Sequence, residues 1–127
     1  MPLVRIDIRR QPNPTHLQAL GKVVYAAMRQ TINVPEHDNF QVLTEHDSDN
    51  LVNDPHYLGI QRTEAQVFIQ ITLNEGRTLE QKKALYLAIA QGLEREAGVR
   101  PEDVFINLVE VRKENWSFGN GIAQYAN

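Results

Sequence analysis

The sequence predicts a small α/β domain, α+β in its layering, made of two β-α-β units in tandem. Their strands are expected to join into one four-stranded mixed sheet with both helices on one face. Three observations lead there. An alternating apolar stretch followed by a turn and a Thr-x-x-Gln helix start occurs twice. Val4-Arg5-Ile6-Asp7-Ile8 overlays Val67-Phe68-Ile69-Gln70-Ile71, and Thr15…Gln18 overlays Thr78…Gln81. With a short insertion, Val34…Asp38-Asn39-Phe40 then overlays Val99…Asp103-Val104-Phe105. Each unit should hold a parallel strand pair with a right-handed crossover through its helix. At 127 residues the chain fits one domain, with units of about 2–43 and 66–111, a connecting segment 44–65 and a C-terminal hairpin or tail 112–127.

The elements follow in order. Residues 3–9 alternate, with Val4, Ile6 and Ile8 on one face, and Gln11-Pro12-Asn13-Pro14 ends the strand. Thr15-His16-Leu17-Gln18 reads as a capping box, and Leu17, Leu20, Val24, Ala27 and Met28 recur at helical spacing to about Ile32. Asn33-Val34-Pro35 stops that helix, and Phe40-Gln41-Val42-Leu43 begins a second strand. The segment from Thr44 to Ala65 is polar and irregular, with Tyr57-Leu58-Gly59-Ile60 as a short strand candidate; a connection this long is usually functional or packed on something else.

In the second unit Val67, Ile69, Ile71 and Leu73 alternate, and Asn74-Glu75-Gly76-Arg77 turns the chain. Thr78-Leu79-Glu80-Gln81 is a second capping box, opening a helix with Leu79, Leu85, Ala88, Ile89 and Leu93 inward and Gly98 as its C-terminal cap. Pro101-Glu102-Asp103 leads into the last strand, Val104 to Val109. Asn120-Gly121 marks a tight turn in the tail, and Trp116, Phe118 and Tyr125 around it are too apolar to be solvated.

Composition narrows the functional classes. A formal charge of −3 offers no basic face for a polyanion, so no nucleic-acid partner is expected. With no cysteine, thiolate nucleophiles, disulfides and Cys-ligated zinc are all excluded. No apolar run approaches a membrane span, and Arg5, Asp7, Arg9 and Arg10 stand where a signal peptide needs an apolar segment; a cytoplasmic protein is expected. His16, His37, His46 and His56 have no metal-ligand spacing, and no glycine-rich phosphate loop is present, so no cofactor or metal is expected.

The chemistry is expected at the start of the chain. Met1 before a small residue such as Pro2 is expected to be trimmed, leaving Pro2 as a secondary amine at the end of a strand. An α-amino group has an ordinary pKa near ~7.7–8.0, which burial or a nearby cation lowers. That puts a general base near operating pH.

Pro2 on a first strand, the duplicated β-α-β, the Gly76-Arg77-Thr78…Glu80-Gln81-Lys82 segment and the Asn115-Trp116-Ser117-Phe118-Gly119-Asn120-Gly121 tail together resemble the tautomerase superfamily, most of all its malonate semialdehyde decarboxylase-type branch. The resemblance covers essentially the whole chain. It implies a tautomerase-like fold, a homotrimer with a pocket at each N-terminal proline, often completed by a neighbouring subunit, and Pro2 as the catalytic acid–base. Arg77, in the turn before a capped helix, is placed to hold a substrate carboxylate through two parallel hydrogen bonds. Asp38, just before the second strand, falls where the family has a catalytic carboxylate; as a turn aspartate bonding its own backbone it would be structural, as its repeat partner Asp103 illustrates. Trp116 and Phe118 would form an apolar wall, with Tyr125 a lesser contributor.

In the decarboxylases of that branch two arginines separated by one residue occupy this region, whereas Leu73-Asn74-Glu75-Gly76-Arg77 supplies one. The expected function is therefore cofactor-independent keto–enol tautomerisation of small 2-oxo acids, with Pro2 as a neutral base. A 3-oxoacid decarboxylase or hydratase with a cationic proline assisted by Asp38 is the alternative. A non-enzymatic trimeric binding protein comes last, because the pocket residues are retained.

Overall fold

The structure, a computed structural model, describes residues 1–126. Its elements are β1 (Leu3–Arg9), α1 (His16–Ile32), β2 (Phe40–His46), β3 (Val67–Asn74), α2 (Leu79–Ala97) and β4 (Val104–Val111). The strands form one sheet in the order β2-β1-β3-β4. β1 pairs with β2 and β3 with β4 in parallel, while β1 and β3 run antiparallel, so the sheet is mixed as expected.

Ile6, which overlays Ile69 in the sequence repeat, is also its cross-strand partner. A pseudo-twofold axis therefore runs through that pair and relates the two β-α-β units. Because side chains alternate along a strand, the register puts Val4, Ile6, Ile8, Val67, Ile69, Ile71 and Leu73 on the helix side, all buried. Leu20, Val24, Met28 and Ile32 of α1 and Leu85, Ile89 and Leu93 of α2 close the core against them. Burial of each such side chain contributes about 1.5–3 kcal/mol. The helices meet closely at Gly92, where a Cβ would lie 2.7 Å from Val23 Cγ1.

Among the described residues no helix covers the opposite face of the sheet. Phe40, Val42, Phe105 and Val109 are exposed there, Phe68 and Phe105 pack with ring centroids 5.3 Å apart, and His46 Nε2 meets Asp7 Oδ1 at 2.6 Å. No helix among the described residues is long and apolar enough to cross a membrane.

Three local expectations are corrected. Thr15 does not build a capping box: its N–H and hydroxyl both donate to Asn13 Oδ1, at 3.0 and 2.9 Å, so the hydroxyl is engaged upstream of the helix it was to cap. Thr78 does build one, with Gln81 N–H donating to its hydroxyl and Thr78 N–H donating to Gln81 Oε1. Leu79 points away from the core and is 62% exposed, because at six residues before Leu85 it falls off the i, i+4 stripe of Leu85, Ile89 and Leu93. Tyr57–Gly59 is a turn of 3-10 helix with Leu58 in the left-handed region, and makes no strand pairing.

The tail beyond Arg112 forms a 3-10 turn (Lys113–Asn115) and then loops, with no hairpin among the described residues. Gln124 holds it, accepting from Phe118 N–H at 3.0 Å and donating to Gly119 O at 2.9 Å. Asn120 and Gly121, with φ of 61° and 67°, make the tight turn the dipeptide signalled. Gly98 caps α2 at φ 67°, also as expected.

β2 runs on to His46, three residues past the Phe40–Leu43 core of the expected strand. The rest of the connecting segment is irregular but tied down. Arg9 donates to Leu51 O, Asn53 Oδ1 and Glu64 O, and Arg62 donates to Tyr57 O.

Candidate active site

Parallel pairing of β1 with β2 sets Leu3 opposite Phe40, which brings the start of the chain beside the turn that precedes β2. That turn, Pro35-Glu36-His37-Asp38, is fixed by Asp38 N–H donating to Pro35 O at 3.4 Å and by Tyr25 hydroxyl donating to the same carbonyl at 3.0 Å. His37 sits in the left-handed region at φ 64°. Asp38 is thereby aimed at the chain start, and its Oδ2 lies 3.7 Å from the terminal amine of Met1.

Pro2 itself is buried. The Met1 amine stands one residue outward of the position a proline amine takes once Met1 is removed. Its surroundings hold it below the ordinary amine value of 8.0. Burial is the main cause; Arg77 and Lys113 lower it further by repulsion, while Asp38 opposes them by attraction and hydrogen bonding. Four charged groups from distant parts of the chain are thus within electrostatic reach of one another.

The two aspartates related by the repeat have opposite environments. Asp103 is 1% exposed and satisfied, accepting from Thr63 N–H at 2.7 Å and Thr63 hydroxyl at 2.6 Å, with Arg100 at 3.6 Å. Asp38 Oδ1 is buried with no hydrogen-bond partner among the described residues. A buried carboxylate oxygen without a donor costs stability, and such groups concentrate at functional sites.

Arg77 leaves the turn after β3. Its guanidinium donates to Asn74 O at 3.3 Å and to Ile32 O, at the end of α1, at 3.4 Å. Neither contact is a carboxylate, so its charge remains available to an anion. It lines a cleft of about 440 Å³ with Asn33, Asn74, Glu75, Gln81 and Lys113. Hollows of comparable size lie elsewhere, among them one between the helices and one on the uncovered sheet face.

Trp116 borders this region through Asn74, donating from Nε1 to Asn74 Oδ1 at 2.8 Å. Phe118 stacks on Trp116 with centroids 5.4 Å apart, and Tyr125 meets Phe118 edge-on at 4.9 Å. The three rings therefore pack on one another, with Phe118 and Tyr125 each keeping an exposed side.

Asp38 and the chain start meet directly, and Arg77 acts on them through its charge. Trp116 and Phe118 reach the same end of the sheet by way of Asn74. Two residues of this region were not singled out from the sequence. Asn74 extends the outward alternation of Phe68, Gln70 and Thr72, and is 9% exposed at the strand's end. Lys113 lies immediately beyond β4.

A duplicated β-α-β sheet with its chain start gathered beside a carboxylate and a guanidinium defines the tautomerase class of fold. A family model described as a tautomerase enzyme matches residues 38–119. The chain is 46% identical over 124 residues to the probable tautomerase YusQ of Bacillus subtilis (strain 168), covering 98% of each. It superposes on the FG41 malonate semialdehyde decarboxylase inhibited by 3-bromopropiolate with a TM-score of 0.90 and 36% identity, over 97% of this chain and 93% of that one. On a fused wild-type 4-OT solved as a symmetric trimer the TM-score is 0.78 at 27% identity, over 98% of each chain. The chain belongs to the tautomerase family and is an enzyme of that family.

Proposed function

We propose that this enzyme tautomerises small 2-oxo acids without a cofactor, using the Pro2 amine, freed by loss of Met1, as general base. The observation that carries this reading is the environment of the chain start. Burial and two cations hold an amine at this place below its ordinary value, which favours the neutral form that accepts a proton. The neutral nitrogen takes a proton from the carbon next to the 2-oxo group, and the electron pair moves to the carbonyl oxygen. The resulting ammonium protonates that oxygen to give the enol, and the reverse sequence ketonises it. Arg77 holds the substrate carboxylate through its guanidinium, and Trp116 with Phe118 keeps water from the amine. Asp38 orients the ammonium while it carries the proton.

The apolar residues on the uncovered sheet face and the trimeric relative support assembly as a homotrimer, in which a neighbour covers Phe40, Val42, Phe105 and Val109. Sedimentation should give three times the chain mass.

Likeness to the decarboxylase, together with the unpartnered Asp38 oxygen, favours one second reading: decarboxylation of a 3-oxo acid with a cationic proline. Intact mass and a pH profile decide. Loss of Met1, a Pro2→Ala variant that loses ketonisation of phenylenolpyruvate by at least ~100-fold, and a rate that rises with pH to a plateau are expected. Retained Met1 on active protein, or full activity in Pro2→Ala, refutes the amine mechanism. A rate that falls as pH rises selects the cationic alternative.

A further inference from the structure

We infer that Lys113 is a specificity residue, a second cation of the Arg77 cleft that takes the distal carboxylate of a dicarboxylic substrate. Lys82, Arg77 and Lys113 stand toward this end of the sheet. Lys82 is neutralised by Glu110 at 2.9 Å. Arg77 donates to backbone carbonyls, and Lys113 has no carboxylate within ion-pair distance among the described residues. Both of these unpaired cations line the one cleft.

The fold brings them together from segments far apart in sequence. Glu75 N–H donates to Val111 O at 2.9 Å, which binds the turn carrying Arg77 to the strand end that leads into Lys113. Two unpaired positive charges facing one hollow repel each other, and an anion spanning them relieves both. Glu75 also lines the cleft but is exposed and pairs with neither cation.

Depth orders their roles. Pro2 is buried, Arg77 half-buried and Lys113 exposed. An acid whose first carboxylate sits on the half-buried Arg77 therefore presents its remote end outward, to Lys113. Both cations also lower the pKa of the terminal amine by repulsion.

This inference rests on the proposed function only in taking the cleft as the substrate's seat, so its test is binding rather than turnover. The chain's single tryptophan, Trp116, is hydrogen-bonded to the cleft residue Asn74, and its fluorescence reports occupancy. Fumarate and crotonate share a frame and differ by one carboxylate. Titrated into the full-length protein, fumarate should bind roughly three- to fivefold tighter than crotonate, the scale of an exposed ion pair. Lys113→Met should abolish that preference while leaving crotonate affinity unchanged, Lys113→Arg should retain it, and Arg77→Gln should weaken both acids. A preference that persists in Lys113→Met, or an equal loss for both acids, overturns the assignment. Protein that shows the Lys113-dependent preference but no ketonisation refutes the tautomerase mechanism and leaves the second-cation role standing.

Discussion

Replacing each of the two repeat-related aspartates by alanine should separate structure from chemistry. In Asp103→Ala the chain loses two hydrogen bonds to a charged acceptor, from Thr63 N–H and Thr63 hydroxyl, at a residue 1% exposed. Each such bond contributes about 1.5–3 kcal/mol, and the Thr63 N–H is left without a partner. The expected loss is about 3–5 kcal/mol, a large part of a typical domain's stability. In Asp38→Ala a carboxylate with one donor-less buried oxygen is removed. Its amine partner can shed its proton, because burial already favours the neutral form, so no stranded charge remains. The pair is long, at 3.7 Å, and not fully buried, so the expected change is within about 1 kcal/mol. Urea unfolding followed by Trp116 fluorescence, at one protein concentration, measures both variants. Rates on the folded proteins should show the reverse ranking, with Asp38→Ala impaired and Asp103→Ala active. If Asp38→Ala loses as much stability as Asp103→Ala, the carboxylate at position 38 is structural and the contrast drawn between the two sites is wrong.

Charge substitutions around the amine should move the pH profile in opposite directions. Asp38 raises the amine's pKa, so Asp38→Asn should shift the rising limb of the rate to lower pH. Arg77 lowers it, so Arg77→Gln should shift the limb to higher pH besides weakening carboxylate binding; identical shifts in both variants would contradict the arrangement. In the core, Gly92→Ala places a Cβ 2.7 Å from Val23 Cγ1 where α1 and α2 cross. Overpacking costs about 1–3 kcal/mol, and the better helix propensity of alanine returns about 1, so a net loss of about 1–2 kcal/mol is expected in the same urea assay. A stabilised variant would mean that the helices part freely.

The repeat made the fold legible because periodicity is a local property. Alternation in 3–9 and 67–73 chooses which face of each strand is buried, and the Thr78–Gln81 box and Gly98 bound α2 without reference to anything distant. The self-pairing of Ile6 with Ile69 is what a tandem repeat closing into one sheet produces. Local likeness failed where a neighbour competes for the same group. Thr15 carries the same motif as Thr78, but Asn13 engages its hydroxyl first. Leu79, six residues before Leu85, lies off the i, i+4 stripe of its helix and faces solvent.

By itself, then, the sequence determined the strand and helix order, the two-unit symmetry, and the candidates Pro2, Asp38, Arg77, Trp116 and Phe118. Tertiary structure alone decided which of two equivalent aspartates is satisfied. Asp103 faces Thr63 on the connecting segment, whereas Asp38, at the matching place, faces the start of the chain. It also decided that Asn74 links Arg77 to Trp116 and that Lys113 shares Arg77's cleft. The physical reason is that a motif specifies backbone geometry over a few residues, while the partner of a buried charge is whatever segment the sheet order brings opposite it.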